Sequence, residues 1–333
     1  MLSTQGYANM TQALISVRDL VVEFPKRKTR LTALDHVSFE IHPGEILGMV
    51  GESGAGKSLT GAAIIGLLEP HGHIASGEIW LKDQRIDQLP YDQMRRLRGK
   101  RIAMIFQDPL TSLNPILTIA DQLIETIQTH LPLNDKEARA RAIQLLDEVG
   151  IPAASKRIDD YPHQFSGGMR QRVVIALALA GEPELIIADE PTTALDVSVQ
   201  AQIIDVLKRM CRDHKTAVML VTHDMGVIAE ACDRVAVMYA GRIAEIGDVR
   251  QIVKRPQHPY TQGLMGSIPS ITERVERLTQ IPGSMPRLDA IPTGCAFNPR
   301  CTQKIDRCTQ DRPDLIVTDQ GHVSCWLYEG AKP

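Results

Sequence analysis

Residues 51–58 read Gly51-Glu52-Ser53-Gly54-Ala55-Gly56-Lys57-Ser58, and no other segment limits the available folds as sharply. The octet fits the pattern G-x-x-x-x-G-K-S/T. Glycine turns aim backbone N–H groups at phosphate oxygens, the lysine reaches the outer phosphates, and the serine hydroxyl suits Mg²⁺. Before it, Glu45–Val50 is almost wholly apolar and predicts a short buried strand; after it, Leu59–Leu68, rich in Ala, Ile, Leu and Gly, predicts a helix. Strand, loop and helix in that order place a helix N-terminus against an anion. A nucleoside triphosphate in an α/β fold is the expectation.

The rest of the chain has the matching rhythm. Two strand-like runs, Ile15–Phe24 and Thr32–Ile41, resemble an antiparallel pair, and Gly77–Leu81 and Ile102–Phe106 follow as further strands. Between 107 and 165 the pattern turns helical: Ile119–Thr129, then Lys136–Val149 with Ala142, Leu145, Leu146 and Val149 on one face. Beyond Gly168, helix Met169–Ala180, strand Leu185–Asp189, helix Val197–His214 and strands Ala217–Val221, Arg234–Tyr239 and Arg242–Gly247 predict a mostly parallel sheet covered by helices. Past Pro256 proline rises and periodicity fades, which predicts a separate loop-rich region. The expected division is an N-terminal extension over 1–13, a nucleotide-binding unit over 14–255 with a helical subdomain about 107–168, and a C-terminal region over 256–333.

Composition excludes several classes. Lys plus Arg number 37 against 40 Asp plus Glu, a net charge of −3, so there is no global electrostatic footprint for nucleic acid or an anionic membrane. No apolar run approaches the roughly 20 residues of a spanning helix. The first residues lack a basic and then an apolar signal region, which predicts a cytoplasmic protein whose membrane contact runs through partners. Translation from Met1 or from Met10 fits the sequence equally.

A phosphate loop needs a metal-side acid and a group to activate water. Leu185-Ile186-Ile187-Ala188-Asp189-Glu190 supplies two carboxylates at the C-terminal end of a buried strand, where open α/β sheets bind ligands. Asp189 is expected to hold Mg²⁺ and Glu190 to polarise the attacking water.

With these residues in view, the chain resembles the nucleotide-binding subunits of ABC transporters over about residues 14–250. Ser166-Gly167-Gly168-Met169 looks like the family signature, Gln107 like the Q-loop, Ala194-Leu195-Asp196 like the D-loop and Thr222-His223-Asp224 like the H-loop, while Phe24 sits where the family stacks adenine. The resemblance implies an ABC-type P-loop NTPase fold, mostly parallel with antiparallel strands and a helical subdomain. It implies ATP enclosed head-to-tail in a dimer: Lys57 and Ser58 act on their own nucleotide, Ser166, Gly167 and Gly168 on the partner's. Gln107 is expected at Mg²⁺ and the reacting water, His223 at the γ-phosphate and Asp196 among the nucleotide-binding residues.

Longer strings point to a branch. Gln107-Asp108-Pro109-Leu110-Thr111-Ser112-Leu113-Asn114-Pro115, Tyr161-Pro162-His163-Gln164-Phe165 and His258-Pro259-Tyr260-Thr261 resemble the oligopeptide/dipeptide importers. That resemblance implies two transmembrane permease subunits, a second ABC ATPase subunit, an extracytoplasmic substrate-binding protein, and a peripheral place on the cytoplasmic face of the inner membrane. Glutathione or a nickel complex is the alternative cargo, and a soluble ABC ATPase the alternative class. Four cysteines, Cys295, Cys301, Cys308 and Cys325, crowd into the last 39 residues. Clustered thiols in a cytoplasmic chain point to metal. The gaps leave a 4Fe–4S (iron–sulfur) cluster, zinc or a reduced metal-free set open, and the branch resemblance implies the cluster.

Overall fold

Strands buried on both faces have no polar side to show, and the centre of this protein is built from such strands. A computed structural model describes residues 12–26, 29–193, 196–267 and 280–330. The extension up to residue 11, with the choice between Met1 and Met10, lies outside the described residues, as do Ala194 and Leu195. β1 (Ile15–Lys26) and β2 (Thr29–Ile41) form the expected antiparallel pair, and β1 also pairs antiparallel with β4 (His73–Leu81), which pairs with β5 (Gln84–Arg85). The second sheet holds β3 (Ile46–Val50), β6 (Ile102–Ile105), β7 (Leu185–Asp189), β8 (Ala217–Thr222), β9 (Arg234–Tyr239), β10 (Arg242–Asp248), β11 (Ile316–Thr318) and β12 (Gly321–Val323). Its order is β11-β12-β10-β9-β3-β8-β7-β6.

From β6 to β9 the neighbours run parallel; from β9 to β11 they run antiparallel. Every residue of β3 and β8 is buried. Such strands read as continuous apolar runs, so their boundaries are visible in sequence. The helix after the phosphate loop is shorter than its apolar composition predicts. It spans Lys57–Ile65 and stops at Gly66, whose left-handed φ of 67° lets its N–H bond the carbonyls of Ala62 and Ala63.

The helical segment is stabilised locally as well as by packing. Ile119–His130 and Asp135–Glu148 each begin with a reciprocal capping box, Thr118 with Asp121 and Asn134 with Glu137. Ala138, Ala142, Leu145 and Leu146 form the buried stripe of the second helix, while Val149, expected inside it, is the C-cap and is itself buried. This stripe joins a core that also includes Phe165, Val173 and Ile175, which carries the signature segment on a rigid support.

Composition sets the region past Pro256 apart, yet the chain there returns to the central sheet. Glu245 of β10 pairs with Val323 of β12, so β11 and β12 extend that sheet. Three-residue strands leave no periodic trace in sequence. Tyr260 and Phe297 from this region lie within the main core. His258 caps the Pro259–Gly266 helix, its Nδ1 accepting the Tyr260 N–H at 3.0 Å. Burial pushes its pKa down to about 4. The unfolded chain therefore binds a proton near the ordinary value of about 6.5 that the folded chain refuses, so stability is lost as pH falls through that window. At pH 5 this group alone costs about 2 kcal/mol relative to pH 7. His258→Asn keeps a capping oxygen and removes the titration. Thermal melts of the variant are expected to show a smaller drop in Tm between pH 7 and pH 5 than the wild type.

Candidate functional site

Parallel register brings the chemistry together. Val50 at the end of β3 lies opposite Thr222 of β8, and Asp189 of β7 lies opposite Val221. The residues that follow each strand end, Gly51, Glu190 and His223, therefore emerge on one edge of the sheet. The loop between β3 and its helix is tight. A Cβ on Gly51 would sit 2.3 Å from the Met238 carbonyl oxygen, and Gly56 has φ 105° with Leu34 packed against it, so glycine is required at both.

Lys57 is buried and its Nζ donates to the carbonyls of Gly51 (2.8 Å) and Glu52 (3.1 Å), inside the curl of the loop. Burial lowers its pKa, opposed by the charges of Glu190, Asp189 and Glu52. The Ser58 hydroxyl donates to Asp189 Oδ1 at 2.7 Å. Glu190 is the centre of the remaining contacts. Gln107 Nε2 and Thr193 Oγ1 donate to its Oε2 at 3.0 and 2.9 Å, and His223 Nδ1 lies 3.2 Å from its Oε1. Its backbone has φ 46°, a left-handed conformation unusual for a side-chain-bearing residue, and its N–H bonds the Val221 carbonyl.

The two adjacent carboxyls are driven apart electrostatically. Burial pushes Asp189 above its ordinary pKa, with the Glu190 charge adding to the rise, against the Ser58 hydrogen bond and the Lys57 charge. Burial also raises Glu190, but the hydrogen bonds of Thr193 and His223 and the charges of His223 and Lys57 outweigh it, so the net shift is downward. At neutral pH Glu190 is a carboxylate able to accept a proton.

The signature lies elsewhere on the surface. Ser166 is the N-cap of the Gly167–Leu179 helix, its Oγ accepting the Met169 N–H at 3.3 Å, and Ser166 and Gly167 are exposed. Among the described residues, no hydrogen bond joins Ser166, Gly167 or Gly168 to the phosphate loop. Asp196 opens the Val197–His214 helix without a side-chain cap. Phe24 is half-buried beside Gly72, where a Cβ would come within 2.6 Å of its ring. Thr193, which fixes Glu190, escaped sequence reading because a lone threonine carries no pattern. Tyr260 was read only as part of the His258–Thr261 string, and its contact was not: its hydroxyl accepts the Glu52 N–H at 2.9 Å across 208 residues of sequence.

The four C-terminal thiols line one cavity, together with His258, Phe297 and Trp326. Burial raises Cys295 and Cys301 and pushes Cys325 up to about 11, so these sulfurs are protonated thiols. Among the described residues no group of three or more His, Cys, Asp or Glu side chains is placed to hold a metal ion. The four cysteines expected as iron–sulfur ligands are thus gathered around one cavity, and among the described residues they do not form a metal site.

Residues 34–193 match the family described as ABC transporter, and residues 244–308 match the oligopeptide/dipeptide transporter C-terminal region. The oligopeptide transport ATP-binding protein AppD of Bacillus subtilis is 45% identical over 318 residues, 95% of this chain and 97% of AppD. The chain belongs to the ABC transporter family. Similarity of the same order extends to the oligopeptide transport ATP-binding protein OppD of Haemophilus influenzae, 46% identical over 94% of this chain and 97% of that protein. Among solved structures, the dimeric post-hydrolysis ATP-binding cassette MJ0796 bound to ADP and Pi superposes with a TM-score of 0.64 at 27% identity, over 71% of this chain and 99% of that one. This ABC protein is an ATP-binding ATPase with the ABC-type P-loop NTPase fold. If Glu190 is the proton acceptor, Glu190→Gln retains ATP binding while turnover falls by about 10²-fold or more, measured by steady-state phosphate release beside equilibrium nucleotide binding; turnover at the wild-type level contradicts the role.

Proposed function

We propose that this ABC ATPase is one motor of an importer for di- or oligopeptides. The observation that carries the reading is the joint match of an ABC core and an oligopeptide/dipeptide transporter C-terminal region in one chain. Among the described residues no helix is long and apolar enough to cross a membrane. The proposed complex therefore adds two transmembrane permease subunits, a second ABC ATPase subunit and an extracytoplasmic substrate-binding protein, with this chain peripheral on the cytoplasmic face. Its proposed organisation is an ATPase unit over 14–255 with a helical subdomain over about 107–168, followed by a transporter-specific region over 256–333.

In the proposed cycle, Gly51 and Ser53–Ser58 bind the phosphates of ATP, and Phe24 stacks on its adenine. Ser58, Asp189 and Gln107 present a hydroxyl, a carboxylate and an amide oxygen, the hard donors that Mg²⁺ prefers. That ion would neutralise charge on the phosphates. Glu190 takes a proton from the attacking water, with Gln107, Thr193 and His223 holding its carboxylate in place. His223 also reaches toward the γ-phosphate as charge grows there. Ser166, Gly167 and Gly168 offer an exposed helix N-terminus to the partner's ATP, and Asp196 is placed among the nucleotide-binding residues. Dimer closure on ATP, relayed at Gln107 to the helical segment, would move the permease.

The four thiols of Cys295, Cys301, Cys308 and Cys325 supply one sulfur for each iron of a 4Fe–4S cluster, whose ligands sit at four separate corners rather than around one ion. Their gathering around one cavity is the support for that reading, which requires the loops to bring the sulfurs to ligating distance. Iron analysis of an anaerobic preparation tests it: bound iron with absorbance near 400 nm is expected, and neither is present if the thiols bind no cluster. Transport is tested in cells lacking this chain. Wild type restores uptake of labelled di- or oligopeptide, whereas Glu190→Gln and Lys57→Ala do not; restored uptake of glutathione or nickel alone, without peptide, assigns the other cargo.

A further inference from the structure

Glu52 is the sole acidic residue inside the phosphate loop, a negative charge set where a polyanion must dock. Its carboxylate is paired with a cation from the far end of the chain. Arg300 Nη1 lies 3.0 Å from Glu52 Oε1 and 3.1 Å from Oε2. The Arg300 side chain is 8% exposed. Its Nε donates to the Pro282 carbonyl at 2.7 Å, Nη1 reaches the Tyr239 hydroxyl at 3.4 Å, and the guanidinium lies over the rings of Tyr239 and Phe297. An arginine fixed on several sides has little freedom left to lose in pairing, so its charge is delivered to one place.

The same loop residue is also held through its main chain. The fully buried Tyr260 accepts the Glu52 N–H, and its ring packs edge-on against Tyr239 at a centroid distance of 4.7 Å. Phe297 stands against both tyrosines. Arg300, Tyr260 and Phe297 all come from beyond Pro256. Lys57, for its part, bonds the Glu52 carbonyl and feels the Glu52 charge. Without Arg300, that carboxylate would compete with phosphate for Lys57 and repel the incoming triphosphate.

We propose that Arg300 is a positioning residue for the nucleotide: it neutralises Glu52 and, with Tyr260, holds the phosphate loop receptive, so that affinity for ATP depends on the C-terminal region. The inference deepens the reading of Gly51–Ser58 as the ATP site and rests on it. Removing the guanidinium charge weakens ATP binding through Glu52, and removing the Glu52 charge relieves the need for Arg300.

The test is equilibrium binding of a fluorescent ATP analogue to the full-length chain, with thermal melts to confirm folding and the KM and kcat of ATP hydrolysis alongside. Arg300→Gln is expected to bind roughly 5- to 20-fold more weakly, with KM raised and kcat little changed. Glu52→Gln is expected to bind about two- to fivefold more tightly, and in that background Arg300→Gln should cost no more than about threefold. Unchanged affinity in Arg300→Gln overturns the proposal, as does an equal loss in both backgrounds, which is the mark of a merely structural role. Should Arg300→Gln fail to fold, Arg300→Lys decides: affinity within about threefold of wild type supports the charge, and a loss beyond about tenfold overturns it. Lys57→Ala separates the two levels. If it still binds the analogue normally, the ATP site itself is misassigned; if it loses binding while Arg300→Gln does not, only the role of Arg300 falls.

Discussion

The parallel pairing of β3 with β8 and of β8 with β7 is the constraint on which the site depends. Parallel strands share one direction, so their C-terminal ends share one edge, and the residues that follow them must meet. Lys57, Ser58, Asp189, Glu190 and His223 are spread over 167 positions of sequence, yet each lies within eight residues of a strand end. Burial of β3 and β8 on both faces fixes the register, because a slip would misplace every apolar side chain at once. Precision at the phosphate loop is therefore inherited from packing far below it.

Electrostatics then divides the labour between two carboxyls that differ by one position. Asp189 ends a buried strand and takes the Ser58 hydroxyl, while Glu190 turns outward into the reach of Gln107, Thr193 and His223. The two side chains share a backbone but not an environment, and their pKa values move in opposite directions. The downward shift keeps Glu190 ionised at neutral pH.

Much of the core was legible because its signals are local. Strands Leu185–Asp189 and Arg234–Tyr239 and the helix Val197–His214 have the bounds that their apolar patterns predict. The Gly66 stop was not legible: composition carries an apolar helix onward, and only the left-handed cap ends it. β11 and β12 were hidden for a different reason, since strands of three residues are defined by the partner they pair with. Phosphate loop, acidic pair and signature could be read as strings, whereas Thr193 and Arg300 act through contacts to residues already placed and have no spacing of their own, and the Tyr260 string did not reveal its contact with Glu52. The cysteines show the opposite limit: their clustering was plain, and the space between them follows from loop and ring packing that the string does not encode.

The left-handed backbone of Glu190 sets stability against turnover. A side chain at φ 46° carries a steric penalty on the order of 1–3 kcal/mol, and the surrounding strands hold it there. Glycine or asparagine at this position relaxes that penalty while removing the carboxylate. On the role proposed for Glu190, such a change would give a tougher but inert protein. The strain at this one backbone angle is then the stability cost of the proposed hydrolytic role.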